Sequence, residues 1–158
     1  MRALVMAAGL GTRLRPLTDK TPKPLVTLAG KPMVEHVLGS LAGHGFSEAL
    51  INIHYFPDQM RAFVEAWNKA GRKPVLSVQD ESAKILGSGG AVALGASWLF
   101  AKGETALVCN ADVLAEPDLG ALAAQHSLAR GRGTRCTMVV TPHPEAGVKY
   151  NGVRVEGE

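Results

Sequence analysis

Between Gly9 and Leu25 lie the residues best equipped for chemistry: Gly9 and Gly11, Arg13 and Arg15, and Lys23 framed by Pro22 and Pro24. Glycines let a backbone turn sharply and carry its N–H groups close to a ligand. A concave row of such donors, followed at once by positive side chains, is a nest for phosphate. A purely structural turn is the alternative for Gly9-Leu10-Gly11 taken by itself. Two familiar phosphate loops are excluded. Leu14 stands where the dinucleotide fingerprint needs a third glycine, and Gly11-Thr12-Arg13 replaces the Gly-Lys-Ser/Thr of the P-loop. Pro22 and Pro24 stiffen the backbone around Lys23. A long side chain on a rigid base is suited to meet a phosphate as a point charge. Alone, the segment also reads as a proline-rich turn with a solvated lysine.

These residues need elements to hold them. Short aliphatic or β-branched runs at Ala3–Ala8, Ala49–Ile53, Val75–Val78, Ala106–Cys109 and Cys136–Val140 predict strands. Between them, helical spacing predicts helices over Pro32–Leu41, Pro57–Ala70, Ala91–Phe100 and Leu119–Ala129. Pro32 sits near the first turn of its helix, where its missing N–H costs nothing. Strand alternating with helix is the pattern of a parallel sheet covered on both faces. The expected fold is therefore a three-layer α/β sandwich, Rossmann-like, with a mostly parallel sheet. Ligands of such sheets sit beyond the carboxyl ends of the strands, and the glycine loop directly follows the first one.

The chain's 158 residues suit one domain over 1–158. Hydrophobic residues make up 46% and charged residues 20%, a balance fit for a packed core with a solvated surface. The net charge is +3, and no run of five or more basic residues occurs, so no polyanion-binding tail is indicated and no nucleic-acid partner is expected. Gly9 breaks the first apolar run too soon for a signal peptide or a membrane span. A cytoplasmic protein with no membrane partner is expected. Cys109 and Cys136 lack metal-site spacing and read as reduced core thiols.

Gly-x-Gly-Thr-Arg-x-x-Pro-x-Thr, read from Gly9 to Thr18, followed by Pro22-Lys23-Pro24-Leu25, resembles the signature of the sugar-1-phosphate nucleotidyltransferases. The resemblance implies that Gly9, Gly11 and Thr12 offer backbone donors to a triphosphate. It places Arg13 on the leaving pyrophosphate and Lys23 at the reacting phosphates, with Ala7 and Ala8 against the base or ribose. Leu107-Val108-Cys109-Asn110-Ala111-Asp112 is similar to the family's metal-binding strand end. Asp112 is thereby implied to hold Mg²⁺, and Asn110 to lie near the sugar phosphate. The family usually carries Gly where Ala111 stands. A capping role before the next helix is the other reading of Asp112. Leu86-Gly87-Ser88-Gly89-Gly90 is similar to the family's base-reading loop, which implies roles for Gly87 and Ser88 and, from the preceding strand, Gln79. Lys149-Tyr150-Asn151-Gly152-Val153 resembles a segment whose glycine, here Gly152, lines the sugar pocket, although Asn151 is an insertion.

The resemblance implies in-line attack by a sugar-phosphate oxygen on the α-phosphorus of a nucleoside triphosphate, yielding a nucleotide sugar and pyrophosphate. The nucleophile is anionic near neutral pH, so none of the five histidines needs a role as base. Full-length relatives continue to sugar-binding loops and a second metal-binding aspartate, so a C-terminally truncated chain, with some tendency to dimerise, is expected. His54-Tyr55-Phe56-Pro57 and Gly89-Gly90 most resemble uridylyltransferases acting on N-acetylmuramate 1-phosphate, with mannose-1-phosphate guanylyltransferases close behind. Choline-phosphate cytidylyl transfer, and a nucleotide-binding module without turnover, are the rival readings.

Overall fold

The computed structural model describes residues 1–101, 105–142, 144–148 and 152–153. The first strand, β1 (Arg2–Met6), is buried through Ala3, Leu4 and Val5, as a strand covered on both faces must be. After the glycine loop, β2 (Thr27–Leu28) and β3 (Lys31–Pro32) form a small antiparallel hairpin. Helix α1 (Met33–Gly43) follows, starting directly after Pro32. Then come β4 (Glu48–Ile53), α2 (Pro57–Lys69), β5 (Val75–Asp80), α3 (Gly87–Leu99), β6 (Ala106–Asn110) and α4 (Leu119–Arg130).

β5, β4, β1 and β6 lie side by side in that order, every neighbouring pair parallel. The chain steps from β1 to β4 to β5 in one direction, then α3 carries it back across the sheet to the far side of β1. Parallel crossovers are right-handed, so this reversal puts α3 on the face opposite α1 and α2. The result is the predicted three-layer α/β sandwich. Leu4 and Leu50 pack beneath Ala91 and Leu99 of α3, with Met6, Val92 and Trp98 around them. By strand alternation Ala3, Val5, Ala49, Ile51 and Ile53, all fully buried, occupy the other face. Arg2 closes the bottom of the α3 layer, stacked 4.5 Å from the Trp98 ring centre and donating to the Trp98 carbonyl at 2.6 Å.

The described residues divide into two compact units, Met1–Ala115 and Glu116–Glu158. In the second, Asp118 caps α4 by accepting the Ala121 N–H at 2.8 Å. Two expectations need correction. Cys136–Val140 is not a strand: its Met138, Val139 and Val140 are each at least half exposed, and among the described residues the run has no ladder partner. Aliphatic content alone does not hold an extended chain without one. Helix α3 begins at Gly87 rather than Ala91, so Gly-Ser-Gly-Gly forms its first turn despite a propensity cost near 1 kcal/mol per glycine.

Candidate active site

A cleft of about 230 Å³ opens at the carboxyl ends of β1 and β6. This is where the direction of chain progression reverses, the crevice in which open α/β sheets bind ligands. Met6 through Gly9 enter it from β1, and Asn110, Ala111 and Asp112 from β6. Lys23 and Pro24 come from the proline turn, Asn52 from β4, and Ile85, Gly87 and Ser88 from the approach to α3. The Ala111 N–H donates to the Met6 carbonyl at 3.0 Å and ties the two strand exits together.

Gly11 has φ +67°, the left-handed region that penalises a side chain. A Cβ there would also fall 2.9 Å from Thr18 Cγ2 and 3.0 Å from Lys23 Cβ. Thr18 is buried and donates its hydroxyl to the Gly11 carbonyl at 2.8 Å. Gly9 differs: an added Cβ would meet nothing within 4 Å, so its smallness leaves room on the cleft instead of relieving a clash. Among the described residues, no protein acceptor takes the backbone N–H groups of Gly9, Leu10, Gly11 and Thr12. Thr12 opens a short 3-10 turn, Thr12–Leu14, that carries Arg13. Arg13 is exposed and makes no ion pair among the described residues, whereas Arg15 pairs with Asp19 at 3.4 Å. The loop is a donor array with an available cation beside it.

Lys23 heads another 3-10 turn, Lys23–Leu25, anchored by the buried rings of Pro22 and Pro24. Its Nζ donates to Asp112 Oδ2 across the cleft. Two residues singled out separately in the sequence thus face each other as an ion pair, each side chain 27% exposed.

Met6, Asn52, Gln79 and Asn110 stand in one row across the four strands, in register at the carboxyl end of the sheet. Asn52 accepts the Ala7 N–H at 2.7 Å through Oδ1 and donates through Nδ2 to Glu81 Oε1 at 3.0 Å. Gln79 donates to the same oxygen at 2.9 Å and to the Ala91 carbonyl at 3.0 Å. Glu81 Oε2 accepts the Leu86 N–H at 3.2 Å. Glu81 and Asn52 are almost wholly buried. The Gln79 side chain is spent in this network behind the cleft and is not among the lining residues. Hydrogen bonds from Ser82, and then Arg61, hold the neighbouring Asp80 carboxyl below its ordinary range and fix the start of the same loop. Neither Asn52 nor the role of Glu81 was singled out from sequence. The available signal was an asparagine interrupting the apolar run Ala49–Ile53.

Gly87, at φ +69°, turns the chain into α3, and Ser88 follows on the cleft wall, where the first N–H groups of a helix favour an anion or acceptor. Gly152 belongs to the second unit, where it lies against Gly147; Lys149, Tyr150 and Asn151 lie outside the described residues. Four histidines bond elsewhere: His36 to the Leu28 carbonyl, His44 to Ser40, His54 to Glu81 and His126 to Thr137. None of these lines the cleft, and His143 lies outside the described residues. Burial pushes the Cys109 thiol up to about 12, which removes it as a nucleophile near neutral pH.

Among the described residues no group of three or more His, Cys, Asp or Glu side chains is placed to hold a metal. A hard divalent cation that takes its other ligands from water and substrate phosphates needs one or two carboxylates. Asp112, facing the cleft, fits that requirement as a single anchor. No helix of the described residues is long and apolar enough to cross a membrane.

Comparison with known proteins bears on the family and the fold. The profile of the family described as nucleotidyl transferase matches residues 2–153. The N-acetylmuramate alpha-1-phosphate uridylyltransferase of Caulobacter vibrioides is 42% identical over 90 residues, covering 57% of this chain and 37% of that protein. Mannose-1-phosphate guanylyltransferase 1 of Arabidopsis thaliana is 36% identical over 158 residues, covering 99% of this chain and 42% of its own length. The solved CTP:phosphocholine cytidylyltransferase of Streptococcus pneumoniae superposes with a TM-score of 0.55 at 32% identity, over 70% of this chain and 44% of that one. The chain spans about two fifths of the length of the curated relatives it matches.

Proposed function

This chain belongs to the nucleotidyl transferase family, and from that premise we propose that it forms the nucleotide-handling part of an enzyme that transfers a nucleoside monophosphate from a nucleoside triphosphate to a sugar 1-phosphate, releasing pyrophosphate. One observation carries the reading: Ala7, Ala8 and Gly9, the Lys23 ammonium and the Asp112 carboxylate line one cleft at the strand reversal, and the loop continues from it through Leu10, Gly11 and Thr12, whose N–H groups have no acceptor among the described residues. That is an arrangement for holding and neutralising phosphates.

In this mechanism the glycine loop cradles the triphosphate and Arg13 takes up the charge that grows on the departing pyrophosphate. Lys23 leaves Asp112 and moves to the reacting phosphates. Ala7 and Ala8 lie against the base or ribose, Gly87 and Ser88 read the base edge, and Asn110 orients the sugar phosphate. Gln79 supports the base-reading loop from behind. Asp112 would hold Mg²⁺ together with substrate phosphates, and the cation would supply charge neutralisation at the α-phosphate. An attacking phosphate oxygen is already anionic, so positioning and electrostatics suffice without a general base. A cytoplasmic location fits substrates of this kind, and exposed Val113 and Leu114 beside the cleft support self-association as a dimer.

The relatives named above are uridylyl-, guanylyl- and cytidylyltransferases, and one of them acts on phosphocholine. The similarity to that last protein sustains a second reading, cytidylyl transfer to choline phosphate. Pyrophosphate release with the common nucleoside triphosphates crossed against sugar 1-phosphates and choline phosphate decides between them. Release that depends on a sugar 1-phosphate is the expected outcome. Release only with choline phosphate transfers the assignment to the second reading, and nucleotide binding with no acceptor at all makes the chain a binding module.

A further inference from the structure

We propose that Glu81 is a positioning residue that locks the two walls of the cleft to each other, and that nucleotide affinity depends on it although it does not line the cleft. This rests on the nucleotide reading above. One wall is the glycine loop, which begins at Ala7; the other is the entry to α3 at Leu86 and Gly87. No main-chain hydrogen bond joins them among the described residues. Glu81 does so with its two oxygens. Oε1 accepts from Asn52, whose Oδ1 in turn accepts the Ala7 N–H, and Oε2 accepts the Leu86 N–H. Gln79 completes the set by donating to Oε1 while holding the Ala91 carbonyl inside α3.

The chemistry at position 81 is selective. Among the described residues, every hydrogen-bonding partner of the Glu81 side chain is a donor: the Asn52 amide, the Gln79 amide and the Leu86 N–H. Only an ionised carboxylate accepts at both ends. A glutamine of the same shape has one oxygen and one NH₂, so one wall meets a donor facing a donor. A buried donor left unpaired costs far more than the bond it replaces, and the cheapest relief is for that wall to move. Asn52 is oriented by the same logic: with Nδ2 committed to Glu81, Oδ1 must face Ala7.

The test uses the full chain and measures calorimetric affinity for GTP, UTP, CTP and dTTP, alongside thermal unfolding. In Glu81→Gln, affinity for the best-bound triphosphate is expected to fall by about tenfold or more. The double variant Asn52→Asp with Glu81→Gln reverses the polarity of their bond. The carboxylate introduced at position 52 then accepts from both Ala7 and the new amide, whose oxygen still receives the Leu86 N–H. Affinity is expected to return to within about threefold of the parent. That rescue separates wall alignment from a general loss of stability, because the double variant still lacks the Gln79 contact. Equal binding by parent and folded E81Q overturns the inference. If E81Q alone does not fold, the reversed pair decides: binding supports the inference, and a pair that folds without binding, or fails to fold, overturns it. A parent chain that binds none of the four triphosphates overturns the nucleotide reading itself, a result distinct from all of these.

Discussion

At the scale of single residues, the site keeps its charges either committed or waiting. Lys23 and Asp112 neutralise each other across the cleft, while Arg13 stands exposed beside the glycine loop with no acidic partner among the described residues. An arginine held there contributes little to the fold, so Arg13→Ala is expected to leave the melting temperature unchanged and to weaken triphosphate binding about tenfold or more. Calorimetry of both proteins checks this, and equal affinity would reduce the loop to a turn. Asp112→Asn removes the charge a hard cation requires while retaining a neutral oxygen. Manganese binding followed by paramagnetic resonance in the presence of triphosphate should be lost, with stability changed by no more than about 1 kcal/mol, since partly exposed ion pairs are worth little. Retained manganese binding would move the metal anchor elsewhere. The cysteines supply a pH test. Burial pushes the Cys109 thiol up to about 12, so it is neutral at pH 8, whereas Cys136 is exposed rather than the core thiol its apolar surroundings predict. At pH 8 a thiol reagent should modify one cysteine in the native chain and both in denaturant; rapid reaction of both in the native chain contradicts the burial of Cys109.

At the scale of elements, the site is made by the places where strands stop. The row Met6, Asn52, Gln79 and Asn110 is the last in-register layer of the sheet on the α3 side, and three of its four residues are polar. Above it the chain turns through Gly11 and Gly87, both at positive φ. The first turn of α3 is weak by propensity, and its glycines differ in what they tolerate. A Cβ at Gly90 would lie 2.7 Å from Leu86 Cβ, but at Gly89 it would meet nothing within 4 Å. Gly89→Ala should therefore raise the melting temperature by roughly 2–4 °C, since relief of glycine's entropy in a helix is worth about 1 kcal/mol. Gly90→Ala should lower it. Thermal melts followed by circular dichroism read both signs, and a stabilising Gly90→Ala would contradict the packing of Leu86.

At the scale of the molecule, every residue lining the cleft belongs to the unit Met1–Ala115. Bound nucleotide should therefore stabilise that unit, by about 2.7 kcal/mol at a ligand concentration a hundred times the dissociation constant. Hydrogen exchange with and without triphosphate locates the effect. Amides of Ala7–Thr12 and of the α3 entry should gain protection, while those of α4 should not. Equal protection of α4 would mean that the binding surface extends beyond the residues identified.

The sequence by itself determined the parallel α/β architecture, because alternating short and long apolar periods leave few other ways to bury both faces of a sheet. It also determined the turn at Gly11 and the rigid seat of Lys23, because a positive-φ glycine and a proline-framed lysine are local features that adjacent residues dictate. Cys136–Val140 shows the limit of that reasoning: strand composition was legible, but whether a ladder partner is present is not a local property. Only the tertiary structure brought Lys23 to Asp112, 89 positions away, and turned Asn52 and Glu81 into one buried network. Their importance comes from hydrogen bonds across strands and loops, and nothing in the spacing of a linear chain encodes which donor meets which acceptor once the sheet has closed.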